Sequence, residues 1–453
     1  MADNDHHGMP PLDPRIAAAA CEGCAESRLL MSRRAMLGVT AGLFTSAFLP
    51  DFANAATDPE ARFLVVVLRG GLDGIGMVIP KLDSHYASMR KNLALPFSQT
   101  LSLGADFALH PALARVHQMY WDGDAAIVPA AGLPLRNRSH FECQDNLENG
   151  LPSNTSNSTG WINRLLGALP AGDPIRRHRG IQIGDAPLIT RGPEPMLGWS
   201  PTWFTKASPD NIARLEAAYT ALDPDLWDSL KRGLEADALA LKAGASDTSG
   251  LSVLRKAFIG AGRLLRAKAG PRIAVLSIGD FDTHSQQGGL TGYFNDRLRD
   301  LDLAMADLKK ELRTAWANTV AICVTEFGRT VRTNGDGGTD HGVGTAVLMV
   351  GGAVKGRIVG DWPGIGPAQL YEGVDLKPAV DLRAVFKGIL HDHVGVPTSI
   401  LNSVVFPGSG SLLAEKQIIK RPDTATRSAA DFERPLTMQE VAPIALYRQH
   451  HGA

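Results

Sequence analysis

Five short apolar segments constrain the fold more than any other feature of the sequence. Each of them leads into, or follows, a polar or glycine-rich loop. They are residues 63–68, 125–129, 273–278, 320–324 and 345–350. Continuous apolar runs of this length are typical of parallel-type strands that are buried on both faces. Segments with helical spacing of apolar residues alternate with them, most clearly 295–315 and 381–393. This alternation predicts an α/β fold, with a mostly parallel central sheet and helices on both faces.

The 453 residues also suggest how the chain is divided. We predict one α/β domain over residues 56–453, with a mostly helical, Ala/Leu/Lys-rich insertion at about 199–270. The insertion is interrupted at Asp223-Pro224. From about residue 418 the chain has the composition of a peripheral C-terminal extension rather than of core.

The first 55 residues resemble an export signal. Arg33 and Arg34 precede a weakly apolar segment, 35–49, and Ala53-Asn54-Ala55 follows it. Paired arginines, a short apolar core and an A-x-A site predict a twin-arginine signal peptide that is cleaved after Ala55. The alternative is a buried helix with an accidental arginine pair.

The predicted partner of this signal is the twin-arginine translocase, and the predicted location is the periplasm or the exterior. No apolar run reaches the roughly 18 residues of a membrane span, so the cleaved chain is not expected to be an integral membrane protein. Cys21 and Cys24 lie in the leader. They are either a metal or redox pair or, more simply, part of a discarded segment.

Charge and cysteine content exclude two classes of protein. The 46 Lys+Arg and 47 Asp+Glu residues give a formal net charge of −1, which argues against nucleic-acid binding by bulk electrostatics. Four cysteines in this length are too few for a disulfide scaffold. Cys323 lies within an apolar run, where a buried free thiol is expected.

Metal-ligand residue types cluster in the loops next to the predicted strands. The candidates are Asp73, Asp282, His284, Glu326, Asp340 and His341. Ligands bind beyond the carboxyl ends of strands in open α/β sheets, and carboxylates packed together need a compensating cation. Mixed carboxylate and imidazole ligands predict one or two divalent ions, Zn²⁺ or Mn²⁺ rather than Mg²⁺, with Ca²⁺ and Fe also open. Taken singly, each residue could instead be a helix cap or a hydrogen-bonded structural residue.

A second motif, Arg136-Asn137-Arg138-Ser139-His140-Phe141-Glu142, follows the second predicted strand. Ser139 is a candidate nucleophile, and His140 a candidate catalytic residue that either ligates the metal or protonates a leaving group. Alternatively, or in addition, Ser139 and Glu142 form a capping box that begins a helix. Three arginines are candidates for holding an anionic substrate: Arg69, Arg138 and Arg329.

The motifs RGGLDG, RSHFECQD, DFDTH, TEFGRT, GTDHGVG and GGAVKG occur in this order between about residues 62 and 395. Together with the leader they resemble domain-of-unknown-function family 1501, which is placed in the alkaline phosphatase-like superfamily. The resemblance implies a mostly parallel sheet, a bimetal site and a Ser, Thr or modified Cys nucleophile. It matches Asp73 to the carboxylate after the first strand, Asp282 and His284 to an Asp…His pair, and Asp340-His341 to an Asp-His-Gly motif.

The chain departs from the superfamily in two ways. Cys143 is followed by Gln144-Asp145 rather than by the sulfatase signature, which argues against formylglycine chemistry. A late histidine ligand has no clean match, since His391 and His393 fall in a predicted helix. Either the second metal is absent, or Glu326 replaces that ligand.

The sequence therefore favours an exported metal-dependent hydrolase of phosphate or related anionic esters, whose substrate is a small molecule or an envelope component. The alternatives are a non-catalytic exported metal-binding or cell-envelope protein that retains the fold, and a scaffold in which these polar residues only cap helices.

Overall fold

The central strand of the molecule is the all-buried segment Arg62–Leu68 (β1), whose seven residues have no polar side chain after the first. It is hydrogen-bonded on both sides to parallel strands, as expected for a run without alternation. The computed structural model describes residues 60–153, 159–185, 187–201, 207–246 and 248–420. The leader with Arg33, Arg34 and the cleavage site lies outside the described residues.

The other strands, in chain order, are Val78–Pro80 (β2), Leu101–Ser102 (β3), Phe107–Leu109 (β4), Ala125–Gly132 (β5), Gly180–Ile183 (β6), Leu197–Trp199 (β7), Ile273–Ile278 (β8), Thr319–Val324 (β9), Gly328–Arg329 (β10), His341–Gly342 (β11), Thr345–Val350 (β12), Arg357–Ile358 (β13) and Val380–Asp381 (β14). The α-helices are Gly74–Met77 (α1), Tyr86–Arg90 (α2), Ala114–Trp121 (α3), His140–Asn149 (α4), Trp161–Ala168 (α5), Pro174–His178 (α6), Pro209–Leu222 (α7), Pro224–Ala243 (α8), Val253–Arg266 (α9), Tyr293–Leu312 (α10), Leu382–Ile389 (α11) and Thr398–Ile400 (α12).

Among the described residues, nine strands form the central sheet in the order β13-β5-β12-β9-β1-β8-β6-β7, with β14 also paired to β5. All of its pairings are parallel except those of β12, which runs antiparallel to both β5 and β9. The expectation of a parallel-type strand at 345–350 was therefore wrong. A strand buried on both faces has the same continuous apolar sequence in either direction, so composition does not report its orientation.

The reversed direction of β12 positions the functional loops. Because β12 is antiparallel, its amino end lies at the same edge of the sheet as the carboxyl ends of β1, β8 and β9. The loop that precedes β12, with Asp340 and His341, therefore meets the loops that follow the parallel strands.

Both faces of the sheet are covered. Successive strand residues point to opposite faces, and Leu64 and Val66 of β1 share one buried cluster with residues of α3, α9 and α10. On the other face, the ring of Phe63 lies 6.3 Å from that of Trp161 in α5, and Trp161 lies 4.7 Å from Phe386 in α11. The predicted fold class is confirmed.

The segment predicted as a helical insertion contains α7, α8 and α9. Asp223 separates the first two and caps α8, accepting a hydrogen bond from the backbone N–H of Leu226 at 3.0 Å. At the C-terminal end, Ile418 is fully buried and Ile419 pairs with Val354. The remainder of the predicted extension, 421–453, lies outside the described residues.

Two small sheets were not predicted, because strands of two or three residues leave no readable pattern. Strands β2, β4 and β3 form an antiparallel sheet, and β10 pairs with β11. Cys143 and Cys323 are buried free thiols, as predicted for Cys323. Within the described residues, no helix has the length and apolar content that crossing a membrane requires.

Candidate metal centre

Three side chains from separate parts of the chain converge at the carboxyl edge of the sheet. His140 is the first residue of α4, Asp282 lies in the loop after β8, and His341 begins β11. One potential ligand atom from each lies within 4.8 Å of the other two. The Nε2 atoms of His140 and His341 are 3.5 and 3.3 Å from the Asp282 carboxylate. This geometry suits a single divalent ion held by nitrogen and oxygen donors.

Backbone conformation at Gly70 allows the loops to approach this closely. Gly70 has a φ of +114°, and a Cβ there would lie 2.5 Å from the backbone nitrogen of Asp282. Glycine is thus required at the point where the loop after β1 passes the loop after β8. This contact explains the first glycine of the RGG sequence after β1.

The tautomers of two histidines are set by their second nitrogens. The Nδ1 of His341 lies 2.9 Å from the Arg138 carbonyl, which can only accept a hydrogen bond. The proton is therefore on Nδ1, and the lone pair of Nε2 faces Asp282. The Nδ1 of His140 lies 2.9 Å from the Glu326 carboxylate, so its Nε2 is likewise left as the potential ligand. Such hydrogen bonds from the second nitrogen are typical of metal-binding histidines.

Glu326 lies behind His140. Its Oε1 accepts hydrogen bonds from the Gly70 backbone N–H, from His140 and from Gln144, at 2.9 to 3.0 Å. Burial favours a higher pKa for Glu326, but these hydrogen bonds outweigh it and lower the pKa. Sequence reasoning placed Glu326 among the metal ligands. The structure places it as the partner that orients the His140 ring.

Of the remaining pKa shifts, those of Asp282 and His341 favour cation binding, whereas that of His140 favours the protonated ring. Burial would raise the pKa of Asp282, but the buried Arg329 guanidinium, 2.5 Å away, lowers it overall. The hydrogen bond to Glu326 raises the pKa of His140, and burial lowers the pKa of His341. Asp282 is thus ionised at neutral pH, while His341 favours its neutral, ligating form.

His284 and Asp340 border the three-residue group without belonging to it. The Nε2 of His284 lies 2.9 Å from the Nε2 of His341 and 3.0 Å from Asp282. Its Nδ1 is 3.4 Å from the carboxylate of Asp340, which is largely exposed. A hydrogen bond from Asn334 is the main cause that lowers the pKa of Asp340. The structure thus brings five predicted residues together: His140, Asp282, His284, Asp340 and His341.

Asp73 lies apart from that group. It is buried at the N-cap of α1, where it accepts a hydrogen bond from Gly76 and forms an ion pair with Arg90. Gln287 donates a further hydrogen bond to it at 2.5 Å. Its carboxylate is compensated by Arg90 without any metal. The sequence analysis placed Asp73 among the metal ligands and did not identify this arginine, whereas the candidate ligand group consists of His140, Asp282 and His341.

The three arginines predicted to hold an anion are each paired with protein carboxylates. Arg69 bonds Glu148 at 2.5 Å. Arg138 bonds Asp375 and Glu372 at 2.6 and 2.7 Å. Arg329 bonds Asp282 and has no exposed surface. Of the three side chains, that of Arg138 is the most exposed, at 36%.

Ser139 precedes α4, but its side chain makes no capping hydrogen bond. Glu142, the other half of the predicted capping box, is hydrogen-bonded to Asn137 instead. The capping-box alternative is therefore wrong. Ser139 immediately precedes the candidate ligand His140 in the chain.

Sequence reasoning missed several amides and hydroxyls that support the centre. Gln144 lies four residues after His140 on the same face of α4, a spacing that could have revealed it. Gln287 and Thr339 offer no such signal, since their contacts join separate loops. They become visible only in three dimensions.

The fold and site together define an α/β protein with a candidate metal centre of two imidazoles and a carboxylate at the sheet edge. The chain belongs to the family described as "Protein of unknown function (DUF1501)", whose model matches residues 124–405. The family predicted from the sequence motifs is thus confirmed. No protein of curated function matches the chain in sequence.

Solved structures similar to this chain include the C-terminal periplasmic domain of EptC from Escherichia coli in complex with Zn. That structure has 11% identity over 80% of this chain and 90% of its own, with a TM-score of 0.35. The lipoteichoic acid synthase LtaP from Listeria monocytogenes has 8% identity over 89% and 92%, with a TM-score of 0.37. Murine ectonucleotide pyrophosphatase/phosphodiesterase 5 with AMP has 11% identity over 78% and 100%, with a TM-score of 0.35.

Proposed function

We propose that the chain is an exported, metal-dependent hydrolase of phosphate esters or related anionic esters. The observation that carries the proposal is the convergence of His140, Asp282 and His341, with both imidazole lone pairs directed by hydrogen bonds at Nδ1. The donor set fits Zn²⁺ or Mn²⁺. A divalent ion there would polarise an ester oxygen and lower the pKa of a nearby hydroxyl or water.

Ser139 is the nucleophile in this proposal. Its hydroxyl is not used as a helix cap, and it adjoins a metal ligand in sequence. A serine hydroxyl attacks only when a base or a cation lowers its pKa. The start of α4 also favours an anion, because the first backbone N–H groups of a helix have no internal acceptors. A serine alkoxide or a substrate oxyanion would be stabilised there.

Arg138 is the guanidinium we assign to the anionic group of the substrate. Its contacts with Asp375 and Glu372 use Nε and Nη2 and leave Nη1 for a ligand. Its backbone carbonyl orients His341. One residue thus links the anion position to the metal position.

The second candidate is a non-catalytic exported metal-binding or cell-envelope protein. The pairing of all three predicted arginines with carboxylates favours it, because no fully uncommitted guanidinium remains in that set. Both candidates share the metal centre and export by the twin-arginine translocase. They differ only in turnover.

The two candidate functions are distinguished by comparing the activity and stability of wild type, Ser139→Ala and the control Ser208→Ala. Ser208 is a true cap of α7, accepting a hydrogen bond from the Asn211 N–H at 3.3 Å. Wild type and both variants would be assayed, after zinc loading, on a phosphomonoester, a phosphodiester and a sulfate ester. We expect Ser208→Ala to lose about 1 kcal/mol of stability and keep activity, and Ser139→Ala to keep its stability and lose turnover. Zinc-loaded wild type that hydrolyses none of the three would favour the non-catalytic candidate.

A further inference from the structure

Gln287 lies outside the metal candidate but contacts both loops that form it. The side chain is buried, with 1% of its surface exposed. Its Oε1 accepts a hydrogen bond from the Thr283 hydroxyl and another from the Thr339 hydroxyl, each at 2.9 Å. One oxygen atom therefore joins two segments of chain that are more than fifty residues apart.

Each of these threonines is next to candidate ligands. Thr283 stands between Asp282 and His284, and Thr339 precedes Asp340 and His341. The backbone N–H of Thr339 also bonds the Thr283 carbonyl at 3.1 Å. The distance between the Asp282 carboxylate and the His341 imidazole thus depends on how these two loops are tied together.

The amide is held in one orientation by Asp73. The Gln287 Nε2 donates to Asp73 Oδ2, and an ionised carboxylate only accepts hydrogen bonds. The amide oxygen must then face the threonines. Asp73 is itself fixed by its ion pair with the fully buried Arg90, so a flipped amide would lose three hydrogen bonds at once.

The same hydrogen-bond chain reaches the centre. The Thr339 hydroxyl also accepts a bond from Arg329 Nε at 3.2 Å, and Arg329 Nη1 bonds Asp282 at 2.5 Å. The order is Arg90, Asp73, Gln287, Thr339, Arg329 and Asp282. Asp73, which the sequence analysis assigned to the metal, and its partner Arg90 stand at the far end of this series of hydrogen bonds.

We propose that Gln287 is a positioning residue of the metal centre, which fixes the Asp282 loop against the His341 loop at the separation that one ion requires. The inference rests on the proposed metal centre. Ligand geometry must hold within about 0.5 Å for tight binding. Loss of an outer hydrogen-bond partner typically weakens metal binding 10- to 100-fold.

The test is Zn²⁺ titration of the mature chain, performed first on wild type. Gln287→Met keeps the length of the side chain and removes all three hydrogen bonds. We expect its Kd for Zn²⁺ to rise about 10- to 100-fold. The matched control is Asn163→Leu, which removes a buried amide with bonds to Thr190 and Glu194 on another part of the fold. It should lower the melting temperature and leave the Kd unchanged.

A conservative pair at Thr283 separates positioning from packing, even if Gln287→Met fails to fold. Thr283→Val keeps the shape and loses the hydroxyl, whereas Thr283→Ser keeps the hydroxyl and loses a methyl group. We expect Val to weaken Zn²⁺ binding and Ser to retain it. Wild-type affinity in both Gln287→Met and Thr283→Val, or weakening by Ser as large as by Val, would overturn the inference. Wild type that binds no Zn²⁺ would instead refute the metal centre itself.

Discussion

Glu326→Gln distinguishes a carboxylate that orients His140 from one that binds metal directly. The substitution preserves side-chain size. The amide oxygen can still accept from Gly70, His140 and Gln144, the three donors that Oε1 now serves. The new amide nitrogen faces the Thr325 hydroxyl, which can rotate to accept. We therefore expect the fold to survive, at a cost of about 1 kcal/mol.

The effect on metal binding follows from the loss of charge. The His140 N–H would donate to a neutral amide, and charge-assisted hydrogen bonds are roughly twice as strong as neutral ones. The ring becomes a less basic and less firmly oriented ligand. Loss of a hydrogen-bond partner of a metal-ligating histidine weakens metal binding about 10- to 100-fold, or by about 1.4 to 2.7 kcal/mol.

The assay is competition for Zn²⁺ between the protein and a chromophoric chelator. Gln144→Met is the control, because it removes one donor to Glu326 but leaves the bond to His140. It should change the Kd only a few-fold. Unchanged affinity in Glu326→Gln would refute the orienting role. A loss well beyond 100-fold, with the fold intact, would show that Glu326 is a direct ligand, as the sequence suggested.

Three further outcomes are expected. Asp73→Ala leaves Arg90 buried without its partner and should cost about 3 to 5 kcal/mol in urea unfolding; a cost below 1 kcal/mol would contradict the buried pair. Replacing both Arg33 and Arg34 by Lys should retain the precursor in the cytoplasm on cell fractionation, and an unchanged periplasmic yield would contradict twin-arginine export. Burial favours a raised pKa for Asp124, but hydrogen bonds from Trp316, Lys420 and Lys309 outweigh it and lower the pKa. Ionised Asp124 therefore stabilises the fold above its unfolded-state pKa of about 4, and this stabilisation is lost as the pH falls through its lower folded-state pKa. Asp124→Asn should accordingly be less stable than wild type at pH 7, with a difference that shrinks below pH 4; a constant difference would contradict this.

The architecture was predictable because strands that are buried on both faces must consist of apolar residues, and such runs are visible in the sequence. Strands such as β1 and β9 must be apolar throughout when helices cover both faces. The direction of β12 was not predictable, because a buried strand is apolar throughout whether it runs parallel or antiparallel to its neighbours. The shortest strands carried no pattern at all.

The site was predictable at the level of loops and not of atoms. Strand ends place Asp73, Asp282 and His341 at one edge, but spacing does not say which side chains face each other. Arg90 lies in α2, outside every recognised motif, and it forms an ion pair with Asp73. The sequence left open whether His140 ligates the metal or protonates a leaving group, and only the structure groups it with Asp282 and His341.

The metal content of the purified protein shows whether His140, Asp282 and His341 hold an ion. Purified wild type, His341→Ala and His117→Ala would be measured by inductively coupled plasma mass spectrometry. His117 lies on α3 and bonds the Ser102 carbonyl, away from the centre. We predict about one divalent ion per chain in wild type and in His117→Ala, and its loss in His341→Ala with an unchanged circular dichroism spectrum. Metal-free wild type, or equal metal in all three proteins, would contradict the account.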